Sequence, residues 1–222
     1  MRALLTPVAF TVVVMTIATT CSCAAADAAP ALLDELRVEI ADPDTDARAA
    51  VVQHTGIAAT NFLGQRLVTE LMAALKRGTI EDAFAIAHLQ RIGADGQTIP
   101  GMPTVRAFKL TSLKLINAAN SPDYAEKRVL DSIERGLRSA TKPPDLIVQH
   151  ITLPDGSEEW RAYRPLAVLP TCVSCHGPSA RMSPRVRTLL AQRATAAPAV
   201  DYKAGEWRGL IRVTIDPPPG GV

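Results

Sequence analysis

Residues 172–176 read Cys-Val-Ser-Cys-His, with Gly177-Pro178 directly after. Two thiols and an imidazole within five positions permit three chemistries. They can form half of a tetrahedral zinc site. They can form a dithiol that cycles with its disulfide. Or they can attach haem c, each thiol adding across one vinyl group while the adjacent histidine becomes an axial ligand to the iron.

The rest of the chain discriminates among these. A closed zinc site needs two more ligands. The chain has four cysteines. Cys21 and Cys23 fall in an N-terminal leader, so Cys172 and Cys175 are the pair left to the folded domain. His54, His88 and His150 are scattered, without the His-x3–5-His spacing of a zinc motif. A thioredoxin-type pair opens a helix after a strand, whereas Pro170 and Gly177-Pro178 bracket this motif with irregular chain. The favoured cofactor is therefore a single covalent haem c, held by Cys172 and Cys175, with His176 as proximal ligand.

The opposite side of the iron decides what such a group does. A methionine there raises the potential, a second histidine generally lowers it, and a vacant position admits small ligands. His88 lies four residues after Phe84 and eight after Ile80, on the apolar stripe of a predicted helix. A histidine in such a stripe is often a hydrogen-bonded core residue, but an iron short of one ligand makes His88 the first candidate. His150 alternates with Val148 on a predicted strand and is the fallback, with Met72 and Met102 after it. Met182 is only six residues from His176, too near to wrap around the ring, and His54 is expected on a polar helix face.

Residues 1–26 have the layout of a secretory signal peptide, with Arg2, an apolar run and an Ala-rich cleavage region near Ala26 or Ala28. Periplasmic or other export follows as the expected localisation. A lipid anchor at Cys21 or Cys23 would need a Leu-x-Gly/Ala context that is missing. The mature chain is expected to have no membrane span. With 24 basic and 22 acidic residues and no basic runs, the charge pattern suggests neither a nucleic-acid partner nor a membrane-surface role.

Residues 27–44 read as a linker and 45–216 as a single domain, with helices over 45–136 and mainly strands and the haem loop over 145–216. Apolar spacing predicts a long helix from Asp46 to Arg77, stopped by Gly78, and a second from Thr79, making an N-terminal helical hairpin. Residues 93–108 read as loop, and Ser121-Pro122 as the start of a helix ending near Gly136. "DLIVQHITL", "PDGS" and "EEWRAYRPLAVL" make a hairpin, and residues 206–216 a third strand. The Pro-rich end, 217–222, reads as a disordered tail. The class is α+β, which argues against a four-helix cytochrome.

Several stretches together resemble the PAS-like single-haem c-type family, also found as sensor modules. "LTSLKLINAANSPDYAE" is similar to that family's Arg-x-Ser-x-Lys-x-Arg-Asn-Pro-x-Asn stretch at Ser112, Lys114, Asn117 and Asn120. "YRPLAVLPTCVSCHG" resembles its Tyr-x-Pro strand running into the haem motif, and "VDYKAGEWRGLIRV" a shortened form of its ending. The resemblance spans about residues 60–215. It implies a PAS-like antiparallel sheet carrying the covalent haem, with an N-terminal helix supplying the distal ligand. Some members have a cysteine at the position of His88, so bis-histidine ligation is implied here. Ile116 and Ala118 replace the family's arginine and proline, which leaves Lys109 or Lys114 as candidate propionate partners against the more usual role of a solvated lysine.

Two functional classes follow. One is an exported c-type cytochrome acting as redox carrier or redox sensor, with an unidentified redox partner and no bond-making chemistry of its own. The other is a haem enzyme or gas sensor with an open or displaceable distal site, for which Gln90 and Arg91 are the available polar groups.

Overall fold

The structure, a computed structural model, describes residues 36–78, 82–84, 99–193 and 198–219. Its frame is a five-stranded antiparallel sheet with helices on both faces. The strands are β1 (Arg37–Ala41), β2 (Val105–Thr111), β3 (Ile147–Thr152), β4 (Glu158–Ala167) and β5 (Trp207–Ile215), in the order β1-β3-β4-β5-β2. The meander β3-β4-β5 closes on an early strand, β2, which makes this a PAS-like sheet of the α+β class. Helices α1 (Ala47–Arg77), α2 (Tyr124–Arg138), α3 (Val173–His176) and α4 (Pro184–Gln192) complete the framework.

Helix α1 begins and ends where its sequence dictates. The Asp46 carboxylate accepts from the amides of Arg48 and Ala49, and Gly78 closes the helix in the left-handed conformation at φ 94°. Its apolar face, with Ala49, Val52, Ala59 and Leu63 fully buried, covers the side of the sheet formed by Val148, Trp160, Ala162, Ile211 and Val213. The approach is close because two small residues meet. A Cβ on Gly56 would lie 2.4 Å from that of Ala162.

Helix α2 covers the other face through Val129, Leu130 and Ile133, packed on Tyr163 and Leu210. Its N-terminus is a capping box. Asp123 accepts from the Glu126 amide at 2.8 Å, and Glu126 accepts from the Asp123 amide at 3.0 Å. Glu126 is fully buried and also accepts from Lys109 at 2.9 Å, Arg212 at 3.0 Å and Thr111 at 3.1 Å. Nearby, Tyr163 donates to Gln149 at 2.7 Å, and Gln149 to the Ala125 carbonyl at 3.2 Å. This face is therefore sealed by satisfied polar groups as well as by apolar ones.

Several expectations need correction. Residues 37–41, inside the stretch read as a linker, form edge strand β1 against β3. β2 starts at Val105, inside the stretch read as a loop, because its partner β5 supplies the hydrogen bonds that its local sequence does not announce. The α2 cap is Asp123 rather than Ser121, since Asp123 is placed to pair with Glu126, and the helix passes through Gly136 to Arg138. In the tail, Pro218 is buried and its carbonyl accepts from Arg48 at 3.1 Å. Among the described residues no helix is long and apolar enough to cross a membrane. The leader, most of the second predicted helix, and with them His88, Gln90 and Arg91, lie outside the described residues.

Candidate functional site

β4 ends at Ala167, and within a few residues the chain reaches the cysteine motif. Pro170 opens a 3-10 turn, Pro170–Cys172, which runs into the single turn of α3. Spacings of three and four residues place Cys172, Cys175 and His176 on one side of this turn. All three line a cleft, while Val173 packs behind them with Val168, Ala199 and Tyr202. Gly177 ends α3 by donating to the Val173 carbonyl at 2.8 Å, and a Cβ there would lie 2.5 Å from that oxygen. The glycine of the Cys-His-Gly sequence is thus a steric requirement of the turn.

A distant segment straps the motif in place. The Tyr202 amide donates to the His176 carbonyl and the Asp201 amide to the Gly177 carbonyl, each at 2.9 Å. The Asp201 side chain accepts from the Ser179 amide at 3.0 Å. Asp201 holds φ at 65°, a left-handed conformation that aspartate tolerates better than most residues. His176 Nδ1 lies 2.8 Å from the Ala199 carbonyl. A carbonyl can only accept, so Nδ1 carries the proton and Nε2 keeps its lone pair. Burial, assisted by the Arg208 charge and opposed by the Ala199 bond, lowers the His176 pKa to about 4. The ring is neutral at pH 7, the state a metal ligand requires. Burial also pushes the Cys175 thiol up. Both cysteines are half-buried and unbridged.

The cleft walls are mainly apolar. α1 contributes Leu67 and Leu71, β2 Leu110, the following loop Ile116, and β4 Leu166. Ala83 and Phe84, on the short described stretch of the second predicted helix, also line it. A larger cleft of about 830 Å³ lies between α1 and the 142–146 segment. It shares Leu166 and Ala167 with the first, but among the described residues no cysteine or histidine lines it. The described thiols and the described imidazole that line a cleft are therefore in the smaller one, while the larger has Asp145 and Lys142 among its lining residues.

The model of the Tll0287-like family matches residues 41–216. The chain belongs to the Tll0287-like family. The resemblance read from the motifs around Ser112, Tyr163 and Arg208 is borne out by that match. Among solved structures, one titled as the cyanobacterial haem protein Tll0287 is similar at 18% identity and a TM-score of 0.48, covering 74% of this chain and 97% of that one. No curated protein matches the chain.

In this Tll0287-like chain the four residues matched in the "LTSLKLINAAN" stretch gather at one corner of the site. Asn117 and Asn120 line the cleft. Ser112 Oγ lies 2.9 and 2.8 Å from the carbonyls of Lys114 and Arg208, which compete for its one proton, and Lys114 stands 4.9 Å from the Tyr202 ring centroid. Lys109 is elsewhere, bound to Glu126 on the α2 face, so it is not available to the cleft. His150 also does not line the cleft. It stacks on Trp160 at 4.4 Å, with Nε2 3.3 Å from Glu158, because it meets the α1 side of the sheet near Arg48 at the start of α1, whereas the cleft lies along the later turns from Gly64 to Leu75. Neither Met72 nor Met102 lines it, and His54 is exposed as expected. Sequence reasoning missed Ala199, Asp201, Tyr202 and Arg208. The spaced "VDYKAGEWRG" motif signalled the last three. Ala199 acts through its backbone, which leaves no signal.

Proposed function

We propose that this protein is an exported single-haem c-type cytochrome that works as a redox carrier or redox sensor. The observation that carries the reading is the arrangement of α3, where two thiols and one imidazole face an apolar cleft from a single helical turn. The donor set fits the group. Zinc is less well served, since among the described residues no cluster of three His, Cys, Asp or Glu side chains suits a metal ion.

In this reading Cys172 and Cys175 hold the haem covalently and His176 Nε2 binds its iron. Bound there, haem supplies reversible one-electron exchange between ferric and ferrous iron. The protein does the rest. Ala199 fixes the imidazole's tautomer and direction. The strap at Asp201 and Tyr202 keeps α3 from turning. Leu67, Leu71, Leu110 and Ile116 exclude water from the site. His88 is the proposed distal ligand, supported by its place in the same predicted stripe as Phe84, whose side chain lines the cleft. The leader over residues 1–26 supports export, which brings the chain to the compartment where haem c is assembled.

The full-length chain, produced with a cytochrome c maturation system, is expected to retain haem after denaturation and to give a c-type pyridine haemochrome. Cys172→Ala and Cys175→Ala each remove one thioether. Retention of no haem by the unmutated protein would sink the reading. A low-spin spectrum that turns high-spin in His88→Ala identifies the sixth ligand. Rapid carbon monoxide binding by the unmutated ferrous protein would instead place it with gas sensors or enzymes.

A further inference from the structure

Arg208 is the second residue of β5 and its side chain lines the cysteine cleft. One terminal nitrogen donates to Ser112 Oγ at 2.5 Å and to the Lys114 carbonyl at 3.0 Å. Its buried Nε has no acceptor. Among the described residues no carboxylate pairs with it. The nearest electrostatic partners are Tyr202, whose ring centroid is 5.6 Å from Cζ, along with Cys172 and His176. Lys114 stands against the same ring at 4.9 Å, so this corner gathers two cations; Glu206 and Glu134 act electrostatically on Tyr202, but among the described residues neither pairs with Arg208.

A guanidinium taken out of water normally meets a carboxylate or phosphate, because an unpaired buried charge is costly. Burial accordingly pulls the Arg208 pKa down. The other charged groups of this fold show what pairing looks like. Glu126 has both Lys109 and Arg212, and Arg161 has both Glu159 and Asp123. No carboxylate of the described residues meets Arg208, which points to a bound group as the source of its anion. That anion must belong to a molecule with a large apolar body, since Leu67, Leu110, Ile116 and Leu166 form the adjoining walls. A free inorganic anion has no such body. Haem has one, and it carries two carboxylates.

We propose that Arg208 is a cofactor-anchoring residue that receives a haem propionate, with Ser112 and the Lys114 carbonyl holding the guanidinium in place. This rests on the haem reading above. It adds a polar recognition element to the two thiols and the imidazole, and it gives a residue of β5 the role for which Lys109 and Lys114 were candidates.

The test compares protohaem with its dimethyl ester, added to full-length Cys172→Ala/Cys175→Ala protein in which attachment is non-covalent. With Arg208 present, the free acid is expected to bind about ten- to a hundredfold more tightly than the ester, the range for a charge-assisted hydrogen bond. In Arg208→Met the two bind alike, and Arg208→Lys restores part of the preference. Equal binding of acid and ester beside an intact Arg208, or a preference that survives Arg208→Met, overturns the proposal while leaving the haem reading standing. Binding of neither form, together with no covalent haem in the unmutated chain, overturns both. If the thiol-free protein does not fold, the covalently loaded protein answers the question. Arg208→Met is expected to change the reduction potential and its pH dependence with the iron still six-coordinate. An unchanged potential and pH profile overturns the proposal.

Discussion

Glu126→Gln is the substitution whose consequence the structure defines most sharply. The carboxylate is fully buried and takes hydrogen bonds from Lys109, Arg212, Thr111 and the Asp123 amide, all between 2.9 and 3.1 Å. Gln preserves shape and one acceptor but removes the charge that two cations share, and those cations have side-chain exposures of only 17% and 12%. Breaking a buried pair costs about 3–5 kcal/mol. Residual hydration of the two cations puts the expectation near the lower end, about 3 kcal/mol. In a domain of this size each kcal/mol moves Tm by about 2–4 °C, so the melt should fall by about 6–12 °C. Thermal and urea melts of the loaded protein measure this. Replacing the triad together, as Glu126→Leu, Lys109→Met and Arg212→Met, should recover most of the loss, since apolar groups then fill the space. Because Lys109 is committed to this triad, Lys109→Met should lower the melt while leaving absorption bands and reduction potential in place. A Glu126→Gln melt within about 2 °C of the parent, or a potential shift in Lys109→Met, would refute the reasoning.

Two glycines of α1 should respond oppositely to alanine. At Gly64 the nearest atom to a new Cβ is 3.7 Å away, so Gly64→Ala should gain up to about 1 kcal/mol of helix propensity, whereas at Gly56 the 2.4 Å contact with Ala162 should overpack the core and lower the melt. Equal signs in paired melts would contradict the close α1–β4 approach. Gly177→Ala drives a Cβ toward the Val173 carbonyl and should reduce the haem-to-protein absorbance ratio while circular dichroism keeps its secondary structure; full loading with an unchanged spectrum would count against the turn as described. Burial alone would raise the Asp123 carboxyl, but the Glu126 amide and the Arg161 guanidinium outweigh it and leave the pKa below its ordinary value. A depressed carboxyl contributes stability above its unfolded pKa of about 3.9 and loses it as pH falls through the folded value. The melting gap between parent and Asp123→Ala, worth about 1 kcal/mol at pH 7 from the lost cap, should therefore close below about pH 4. A gap that is constant with pH would assign the effect to packing.

What the sequence announced and what it hid follow a physical division. Local signals were legible. Asp46 and Gly78 mark α1 because caps act within one turn, and the hairpin of β3 and β4 follows from alternation around Pro154-Asp155-Gly156. β1 and β2 were hidden because each is made a strand by a partner far along the chain: Arg37 faces Thr152, and Lys109 faces Arg212. The same division holds in the site. Cys172, Cys175 and His176 were readable because spacing alone places three groups on one turn. The failure of His150 and Lys109 as cleft residues was not, because alternation tells which residues share a face, but neither which face the cleft occupies, as for Lys109, nor which end of that face, as for His150. Glu126, on another helix, claimed Lys109, and Trp160 and Glu158 claimed His150.

The strap at 198–202 sharpens what the cysteine motif can be taken to mean. Five residues specify which atoms are available for attachment, but they do not fix the imidazole's tautomer or the direction of its free nitrogen. Those properties come from the Ala199 carbonyl at 2.8 Å, and the position of that carbonyl comes from Asp201 and Tyr202 holding the backbone of His176 and Gly177. A Cys-x-x-Cys-His turn without such an acceptor would leave either ring nitrogen free to carry the proton. In the proposed haem reading the ligand would thus be defined by two segments more than twenty residues apart, and the second leads directly into the strand that presents Arg208. The same stretch of chain that orients the imidazole also brings Arg208, which no described carboxylate pairs, to the cleft, so in that reading loss of the strap should disturb iron ligation and anion recognition together.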